Sequence, residues 1–323
     1  MPGSGPAILI QGAGVAGLVT AVTLAEKGAQ VTLHEAGPRI GSGASWYAGG
    51  MLAPWCEAES APEEVTRDSL DSLQWWADHV PGVLRNGSLV VAPPRDQVEL
   101  ARFGRRTSHF ETIDAPRIAA LEPDLEGRFD KALYFAEEGH VDPRLALARL
   151  KERLLTLGGH IRLDTTRIDE DFDWVIDCTG IEAREAEPKL RGVRGEMILV
   201  RCLEMRLHRP VRMLHPRIPI YIVPREQGIF MAGATMVESD DDRAITVRAM
   251  SELLNALYTL HPAFAEAEII EANAGIRPSY PDNVPRVHCD GRRITVNGMY
   301  RHGFLLSPAR AAEVGRIIFP GTR

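Results

Sequence analysis

The feature that most constrains the fold is a glycine fingerprint between a predicted strand and a predicted helix. Ala7 to Gln11 (AILIQ) is a short apolar run typical of a buried parallel strand, and apolar residues recur at helical spacing from Val15 to Lys27. Gly12, Gly14 and Gly17 join them as G-x-G-x-x-G. The first allows a tight turn, the second lets a pyrophosphate approach the helix, and the third permits close helix–strand packing. The sequence therefore predicts a βαβ unit that binds a dinucleotide.

An acidic residue ends the second strand of this unit. The β-branched run from Ala29 to Glu35 (AQVTLHE) predicts that strand. A carboxylate at Glu35 can accept hydrogen bonds from a ribose diol, and its charge disfavours the 2′-phosphate of NADP. Val15 and Ala16, which follow Gly14, complete the predicted contacts of the fingerprint. The fingerprint by itself leaves both FAD and NAD open.

Composition excludes several classes of partner. The 37 basic and 44 acidic residues give a net charge of −7 and form no long block of one sign, so nucleic acid and membrane surfaces are not expected partners. The four cysteines have no C-x-x-C spacing and the ten histidines no H-x-x-x-H spacing, so we expect no metal site. No secretory signal or membrane-spanning stretch is predicted. We expect a cytoplasmic protein that binds a small molecule.

The rest of the chain mixes two kinds of pattern. Helices are predicted over 63–80, 143–159 and 243–258, and the strand WVIDCTG over 174–180. Between 195 and 236, apolar segments separated by short turns indicate a largely antiparallel sheet. The predicted fold class is therefore α/β plus α+β, with a Rossmann-type domain interleaved with a second domain on an antiparallel sheet.

Four further motifs follow the fingerprint with Glu35 along the chain. They are GGMLAP from Gly49, DWVIDCTG from Asp173, GIRPSYPDNVP from Gly275 and NGMYRHGFLLSP from Asn297. The order of these five motifs resembles the D-amino acid oxidase family, and within it most nearly the glycine oxidases of thiamine biosynthesis. The likeness covers nearly the whole chain. The resemblance implies bound FAD. It implies non-covalent FAD, since relatives with covalent flavin use a cysteine near the last motif, and none follows residue 289 here.

The resemblance also implies how the two domains divide the chain. An FAD-binding domain is expected over 1–85, 140–192 and 272–323. A substrate-binding domain is expected over 86–139 and 193–271. A homo-oligomer is compatible with the likeness, although the sequence does not determine the oligomeric state.

Cofactor contacts are implied along the whole chain. Ser42 and Ser45 would bond the pyrophosphate or the ribityl chain, and Gly49, Gly50 and Met51 would give the flavin ring a close approach to the backbone. Further contacts are expected from the adenine region at Ile168, from the end of the WVIDCTG strand, and from the last motif, namely Thr179, Gly180, His302, Gly303, Phe304, Leu305 and Leu306.

The last helix is predicted to begin with Ser307 as its N-cap and Pro308 in its first turn. Its positive end would then lie beside Leu305 and Leu306 and stabilise the reduced flavin.

Substrate contacts are assigned by the same likeness. Arg277 would bind the carboxylate of an amino acid, because a guanidinium presents a rigid fork that matches it. Tyr221 would add a hydrogen bond, Met236 would line the pocket, and Arg301 would line its entrance or support the carboxylate site. Considered singly, an arginine is more commonly an ion-pair residue, and core packing is an equally good interpretation of Tyr221 and Met236.

The implied activity is an FAD-dependent oxidation of a small amino acid, glycine above all, with hydride transfer to flavin. An imine or 2-oxo acid would form, O2 would reoxidise the flavin to give H2O2, and the product would pass to thiazole-forming enzymes. Trp46 and Tyr47 depart from the family pattern and are expected to narrow the pocket or shift its entrance. A D-amino acid or sarcosine oxidase or dehydrogenase, an NAD-dependent dehydrogenase and a non-catalytic flavoprotein remain alternatives.

Overall fold

The computed structural model describes residues 5–165, 171–215 and 219–321. The strands of the first half of the chain are β1 Ala7–Gln11, β2 Gln30–Glu35, β3 Met51–Leu52, β4 Ser88–Val91, β5 Glu111–Asp114, β6 Lys131–Phe135, β7 Gly139–His140 and β8 His160–Leu163. Those of the second half are β9 Trp174–Asp177, β10 Arg191–Arg201, β11 Val211–Met213, β12 Ile220–Pro224, β13 Ile229–Gly233, β14 Val237–Glu238, β15 Glu268–Ser279, β16 Arg286–Asp290 and β17 Arg293–Asn297.

The α-helices lie between these strands or close the chain. They are α1 Val15–Glu26, α2 Pro54–Glu57, α3 Glu63–Asp68, α4 Ser72–His79, α5 Gln97–Arg106, α6 Ala115–Leu121, α7 Pro143–Thr156, α8 Val247–Leu260 and α9 Gly303–Ile318. None of the helices in the described parts of the chain combines the length and apolar character needed to cross a bilayer.

The first sheet has the predicted βαβ unit at its centre. Its six strands lie in the order β16-β17-β9-β1-β2-β8. β1 is parallel to both neighbours, with Ile8 opposite Val31 on one side and Trp174 on the other. Ile8 and Leu18 of α1 are fully buried in one core with Leu147 of α7. The central strand β1 is therefore a near-continuous apolar run, because helices cover the middle of this sheet.

The second sheet is largely antiparallel, as predicted. Its path runs β14-β10-β13-β12-β11-β4-β6-β5, with β15 paired to β10. β4 and β11 form its parallel pair. The β10–β15 pairing extends over most of both strands and sets Arg277 opposite Val193. Through this pairing Arg277, the predicted substrate residue, becomes part of the second sheet although it lies late in the sequence.

Strands of the two sheets alternate along the sequence, so the interleaved α/β plus α+β organisation is confirmed. The first sheet takes strands from residues 7–35, 160–177 and 286–297, and the second from 88–135, 191–238 and 268–279. The exact domain boundaries stay a prediction.

Two predicted helices differ from the structure. The helix expected over 63–80 is two helices, α3 and α4, separated at Ser69. Its hydroxyl donates to the carbonyl oxygen of Thr66 at 2.8 Å, a local bond that competes with continued helix. The helix expected from residue 243 begins at Val247, because the hydroxyl of Thr246 accepts a hydrogen bond from the N–H of Ala249 and caps it.

Candidate active site

A cavity of about 860 Å³ lies where the carboxyl ends of β1 and β2 meet residues of the second sheet. Its size is within the usual range of ligand pockets, roughly 300–1,000 Å³. It brings together most of the predicted site residues, namely Gly12, Gly14, Val15, Ala16, Glu35, Ser42, Ser45, Gly49, Gly50, Met51, Thr179, Gly180, Tyr221, Met236, Arg277, Arg301, His302, Gly303, Phe304 and Leu305. Gly17 and Leu306 lie outside its lining. Ile168 falls outside the described residues.

Gly12, in the cavity lining, and Gly17, behind it, both have packing roles. Gly12 has φ +93°, and a Cβ there would lie 2.5 Å from the carbonyl oxygen of Cys178. A Cβ on Gly17 would lie 1.9 Å from the carbonyl oxygen of Gly12. Any side chain at either position would push α1 away from the strands, so the first and third fingerprint glycines fix the start of the helix.

The Glu35 carboxylate is held at the end of β2 by backbone donors. Oε2 accepts from the N–H of Ala13 at 2.8 Å, and Oε1 accepts from the N–H of Gly37 at 3.1 Å. Each oxygen keeps a further lone pair for another donor. The carboxylate is thus fixed beside the glycine loop, and its contact with a ribose stays a prediction.

Ser45 and Thr179, which line the same cavity, are each held by hydrogen bonds within the protein. The hydroxyl of Ser45 accepts from the N–H of Val15 at 3.0 Å, which leaves its own O–H available to a ligand. Thr179 donates from both its N–H and its hydroxyl to Asp177 Oδ1, at 2.9 and 2.6 Å. Asn297 Nδ2 donates to the carbonyl oxygen of Gly180 at 2.9 Å and fixes the end of β9.

Gly49 and Gly50 line the cavity, but packing within the protein already requires both. A Cβ on Gly49 would lie 2.5 Å from Cε2 of Tyr221. Gly50 has φ +71°, and a Cβ there would lie 2.1 Å from the carbonyl oxygen of Val141. Arg225 Nη2 donates to the carbonyl oxygen of Gly49 at 2.6 Å. The segment is therefore shaped by its protein neighbours before any ring system is considered.

The last helix begins five residues earlier than predicted. α9 starts at Gly303 with His302 as its N-cap residue, so Pro308 lies inside the helix and the prediction of Ser307 as N-cap is wrong. A proline in a helix leaves the carbonyl four residues earlier without its donor. Here that carbonyl belongs to Phe304, and the indole N–H of Trp76 donates to it at 2.6 Å. A tertiary contact therefore replaces the missing helical bond.

This earlier start points the first turn of α9 at the cavity. Gly303, Phe304 and Leu305 line it, and the first N–H groups of a helix have no intrahelical partners. The N-terminus of α1 reaches the same cavity at Val15 and Ala16. Two positive helix ends and the Glu35 carboxylate form a donor and acceptor set that suits FAD, whose pyrophosphate is anionic and whose ribose offers hydroxyls.

Arg277 and Tyr221 form the part of the cavity predicted to bind substrate. The guanidinium of Arg277 lies over Gly195, where a Cβ would be 2.1 Å from Nη2, and Nη1 donates to the carbonyl oxygen of Thr235 at 3.2 Å. Removal from bulk water lowers the pKa of Arg277 and raises that of Tyr221. Among the described residues, no carboxylate lies within 4.0 Å of the Arg277 nitrogens, which leaves its charge for a ligand.

Arg301 has a partner that the sequence did not reveal. Its Nε lies 2.8 Å from Oε2 of Glu57, and His302 Nδ1 lies 3.2 Å from the same oxygen. Burial would raise the pKa of Glu57, but Arg301 and His302 hold it well below its usual range. Glu57 follows the GGMLAP motif by three residues, yet a single acid after a motif carries no recognisable signal. Its role depends on a contact with a residue 244 positions away.

Met236, Tyr47 and Trp46 lie at different positions relative to the cavity. Met236 is 49% exposed and its sulfur lies 3.4 Å from the hydroxyl of Tyr300, which places it at the rim. Tyr47 lines the cavity, as the expected narrowing requires. Trp46 does not line it; the guanidinium carbons of Arg39 and Arg144 lie 4.7 and 4.6 Å from the centroid of its ring.

The fold and the site together define a dinucleotide-binding flavoenzyme with a second, largely antiparallel sheet. Comparison with known proteins agrees: the DAO family model, described as FAD dependent oxidoreductase, matches residues 7–316. The chain belongs to this family and its cofactor is FAD. The predicted resemblance is thereby confirmed, and the NAD-dependent alternative is removed.

Individual relatives are similar over almost the whole chain. The "Putative thiamine biosynthesis oxidoreductase ThiO" of Rhizobium etli is 56% identical over 96% of this chain and 95% of its own length. A glycine oxidase of Pseudomonas aeruginosa is 27% identical over 94% and 92%. The crystal structure of glycine oxidase from Geobacillus kaustophilus superposes with a TM-score of 0.82 at 23% identity, over 97% of this chain and 95% of that one, and shows the shared fold.

Proposed function

We propose that this enzyme oxidises a small amino acid, glycine in the first place, to its imine. The observation that carries the proposal is the Arg277 guanidinium, which faces the cavity without a carboxylate among the described residues and lies near the Tyr221 phenol. A planar guanidinium matches a carboxylate, and the phenol can donate a further hydrogen bond to it. The names of the relatives from Rhizobium etli and Pseudomonas aeruginosa support the same reaction class.

The chain contributes binding and orientation to this reaction. Arg277 and Tyr221 hold the substrate carboxylate, Tyr47 limits the length of the side chain, and the rim at Met236 closes the pocket. Gly12 to Ala16, Glu35 and the first turn of α9 would hold the cofactor. Bound FAD supplies the hydride acceptor, and O2 regenerates it with release of H2O2. Oxidation at Cα needs positioning more than a protein acid or base at the reacting carbon.

We also propose that FAD is bound without a covalent link, that the enzyme works in the cytoplasm, and that the imine serves thiazole formation in thiamine biosynthesis. The four cysteines are free and three are buried, which suits a reducing compartment. The relative from Rhizobium etli supports the thiamine assignment through its name. A homo-oligomer and direct hand-over of product to a thiazole-forming enzyme belong to the same proposal.

Anaerobic mixing of the purified protein with glycine, D-alanine and sarcosine tests the function. We expect glycine to bleach the flavin absorbance, since the pocket is lined for a small zwitterion. Faster bleaching by D-alanine or sarcosine would move the assignment to a D-amino acid or sarcosine oxidase. If none of the three bleaches it, the protein is not an oxidase of small amino acids and a non-catalytic flavoprotein becomes the better description.

A further inference from the structure

We propose that Glu57 sets the charge preference of the substrate pocket. By neutralising Arg301 it confines anion binding to Arg277, so that an amino acid with one carboxylate is accepted and a second carboxylate is discriminated against. The inference rests on the proposed function, because it takes Arg277 as the place where the substrate carboxylate binds.

The Arg301 guanidinium is ion-paired with Glu57 through Nε and hydrogen-bonded to other residues through its two Nη atoms. Nε lies 2.8 Å from Oε2 of Glu57, Nη2 donates to the hydroxyl of Ser60 at 2.6 Å, and Nη1 lies 3.7 Å from the sulfur of Met236. The side chains of Arg301 and Glu57 are 17% and 18% exposed. A guanidinium held in this way attracts a ligand anion only weakly, because its charge is already compensated at short distance.

Glu57 also lies within ion-pair distance of a second guanidinium. Its Oε1 lies 4.0 Å from Nη1 of Arg212, a buried residue that lines the cavity and lies over the ring of Phe103. Three guanidiniums therefore face this end of the cavity, those of Arg212, Arg277 and Arg301, and Glu57 compensates two of them. Without its charge, both would become potential anion sites.

These five side chains, Tyr221, Arg277, Arg301, Arg212 and Glu57, line one cavity. Burial raises the pKa of the Tyr221 phenol, the three guanidiniums lower it and Glu57 raises it. Burial lowers the pKa of Arg277, and Arg301 lowers it further while Glu57 raises it. In a cavity removed from bulk water such charges interact more strongly than on the surface. A ligand anchored on Arg277 would bring a second carboxylate into the field of Glu57.

The matched substrates for the test are N-(carboxymethyl)glycine and N-ethylglycine. Both carry a two-carbon substituent on nitrogen and keep the reacting Cα–H, and they differ in the second carboxylate. The measured quantity is the ratio of kcat/KM for the acid to that for the ethyl compound. In Glu57→Gln, which keeps the volume and one acceptor oxygen, we expect this ratio to rise about tenfold or more, a factor that corresponds to about 1.4 kcal/mol.

Glu152→Gln is the matched control. It removes the same charge from an exposed carboxylate of α7 that faces Arg149 at 2.8 Å and does not line the cavity. The ratio should stay within about twofold of the wild-type value. A twofold change corresponds to about 0.4 kcal/mol, well below the effect expected for Glu57→Gln. A comparable rise in both variants would show a general effect of net charge and overturn the role of Glu57.

A binding measurement separates this inference from the proposed function. The dissociation constants of malonate and propionate are read from the shift of flavin absorbance, and their ratio should move toward malonate in Glu57→Gln. If glycine reduces the wild-type flavin but neither ratio changes, the inference about Glu57 is wrong and the function stands. If no amino acid reduces it, the function falls, and the malonate ratio still decides on Glu57.

A second variant tests the inference if Glu57→Gln does not fold or does not keep FAD. It removes the positive partner of Glu57 and should change the preference in the opposite direction. Arg301→Gln leaves the Glu57 charge with less compensation, so preference for the second carboxylate should fall by about tenfold or more. An unchanged or increased preference for malonate in Arg301→Gln would contradict the inference.

Discussion

The indole N–H of Trp76 donates a 2.6 Å hydrogen bond to the carbonyl oxygen of Phe304, which Pro308 leaves without a helical donor. Both residues are buried, and their rings stack with centroids 5.3 Å apart. This contact allows α9 to begin at Gly303 and to direct its first turn at the cavity. The start of the last helix, and with it the predicted flavin contacts from His302 to Leu306, therefore depends on a side chain from α4.

Replacement of Trp76 by Phe should destabilise the protein by about 1–3 kcal/mol, because it leaves a buried carbonyl without a donor. The measurement is denaturant unfolding, together with the fraction of bound FAD. Trp75→Phe is the control, since Trp75 stacks on His79 and has no part in the Phe304 contact. Equal losses in the two variants would show that ring size matters and the hydrogen bond does not.

Gly50→Ala should lower the unfolding free energy by more than backbone strain alone would. The φ of +71° costs a non-glycine residue about 1–2 kcal/mol, and the new Cβ would also meet the carbonyl oxygen of Val141 at 2.1 Å. Gly127→Ala is the control, with φ +70° and open space around the Cβ position. We expect a larger loss of unfolding free energy and of bound FAD in Gly50→Ala; similar losses would mean that the crowding is relieved without cost.

Arg277→Ala should raise KM for glycine roughly ten- to hundredfold, the loss of a charge-assisted hydrogen bond worth about 1.5–3 kcal/mol. FAD content should be unchanged, because the residue belongs to the substrate end of the cavity. Steady-state kinetics and the flavin-to-protein ratio are the measurements. The control is Arg286→Ala, whose guanidinium lies over the ring of Tyr280 outside the cavity lining. Loss of flavin from Arg277→Ala would make that residue structural.

Glu138 should make the protein less stable as pH rises. Burial raises its pKa to about 7, although the hydroxyl of Ser88 and the N–H of Cys56 donate to it. In the unfolded chain a glutamate titrates near pH 4.3. Between these values the folded state keeps a proton that the unfolded state has lost, so this stabilisation is complete at low pH and lost as pH rises through 7.

The corresponding variant is Glu138→Gln, which removes this titration. Its unfolding free energy relative to the wild type should increase between pH 4.5 and pH 8 by an amount on the order of 3 kcal/mol. Urea unfolding at several pH values measures it. Glu137→Gln, at a neighbouring carboxylate that is 65% exposed, should show no such trend. A flat difference for Glu138→Gln would mean that Glu138 is ionised in the folded protein at neutral pH.

Glu35→Gln should weaken FAD binding roughly tenfold or more, because a charged acceptor is lost at the end of β2. Titration of the apoprotein with FAD measures the dissociation constant. The KM for glycine in the FAD-saturated variant should stay near the wild-type value, since Glu35 is assigned to the cofactor. A change in KM without a change in FAD affinity would contradict that assignment.

Local sequence was sufficient for the parts of the protein that depend on neighbouring residues. Gly12, Gly14 and Gly17 with Glu35 predicted the central βαβ unit, because turn geometry, helix periodicity and strand composition act over a few residues. Asp142 and Pro143 predicted the start of α7 in the same way, and Asp142 accepts hydrogen bonds from the N–H groups of residues 144 and 145.

Only the tertiary structure decided which distant groups meet. The pairing of β10 with β15 sets Arg277 over Gly195, Glu57 neutralises Arg301 across the cavity, and Trp76 completes a helix that its own proline would shorten. None of these partners is recognisable from its own segment. The energy of a buried charge or carbonyl depends on what the folded chain places beside it, and that neighbour is far away in sequence.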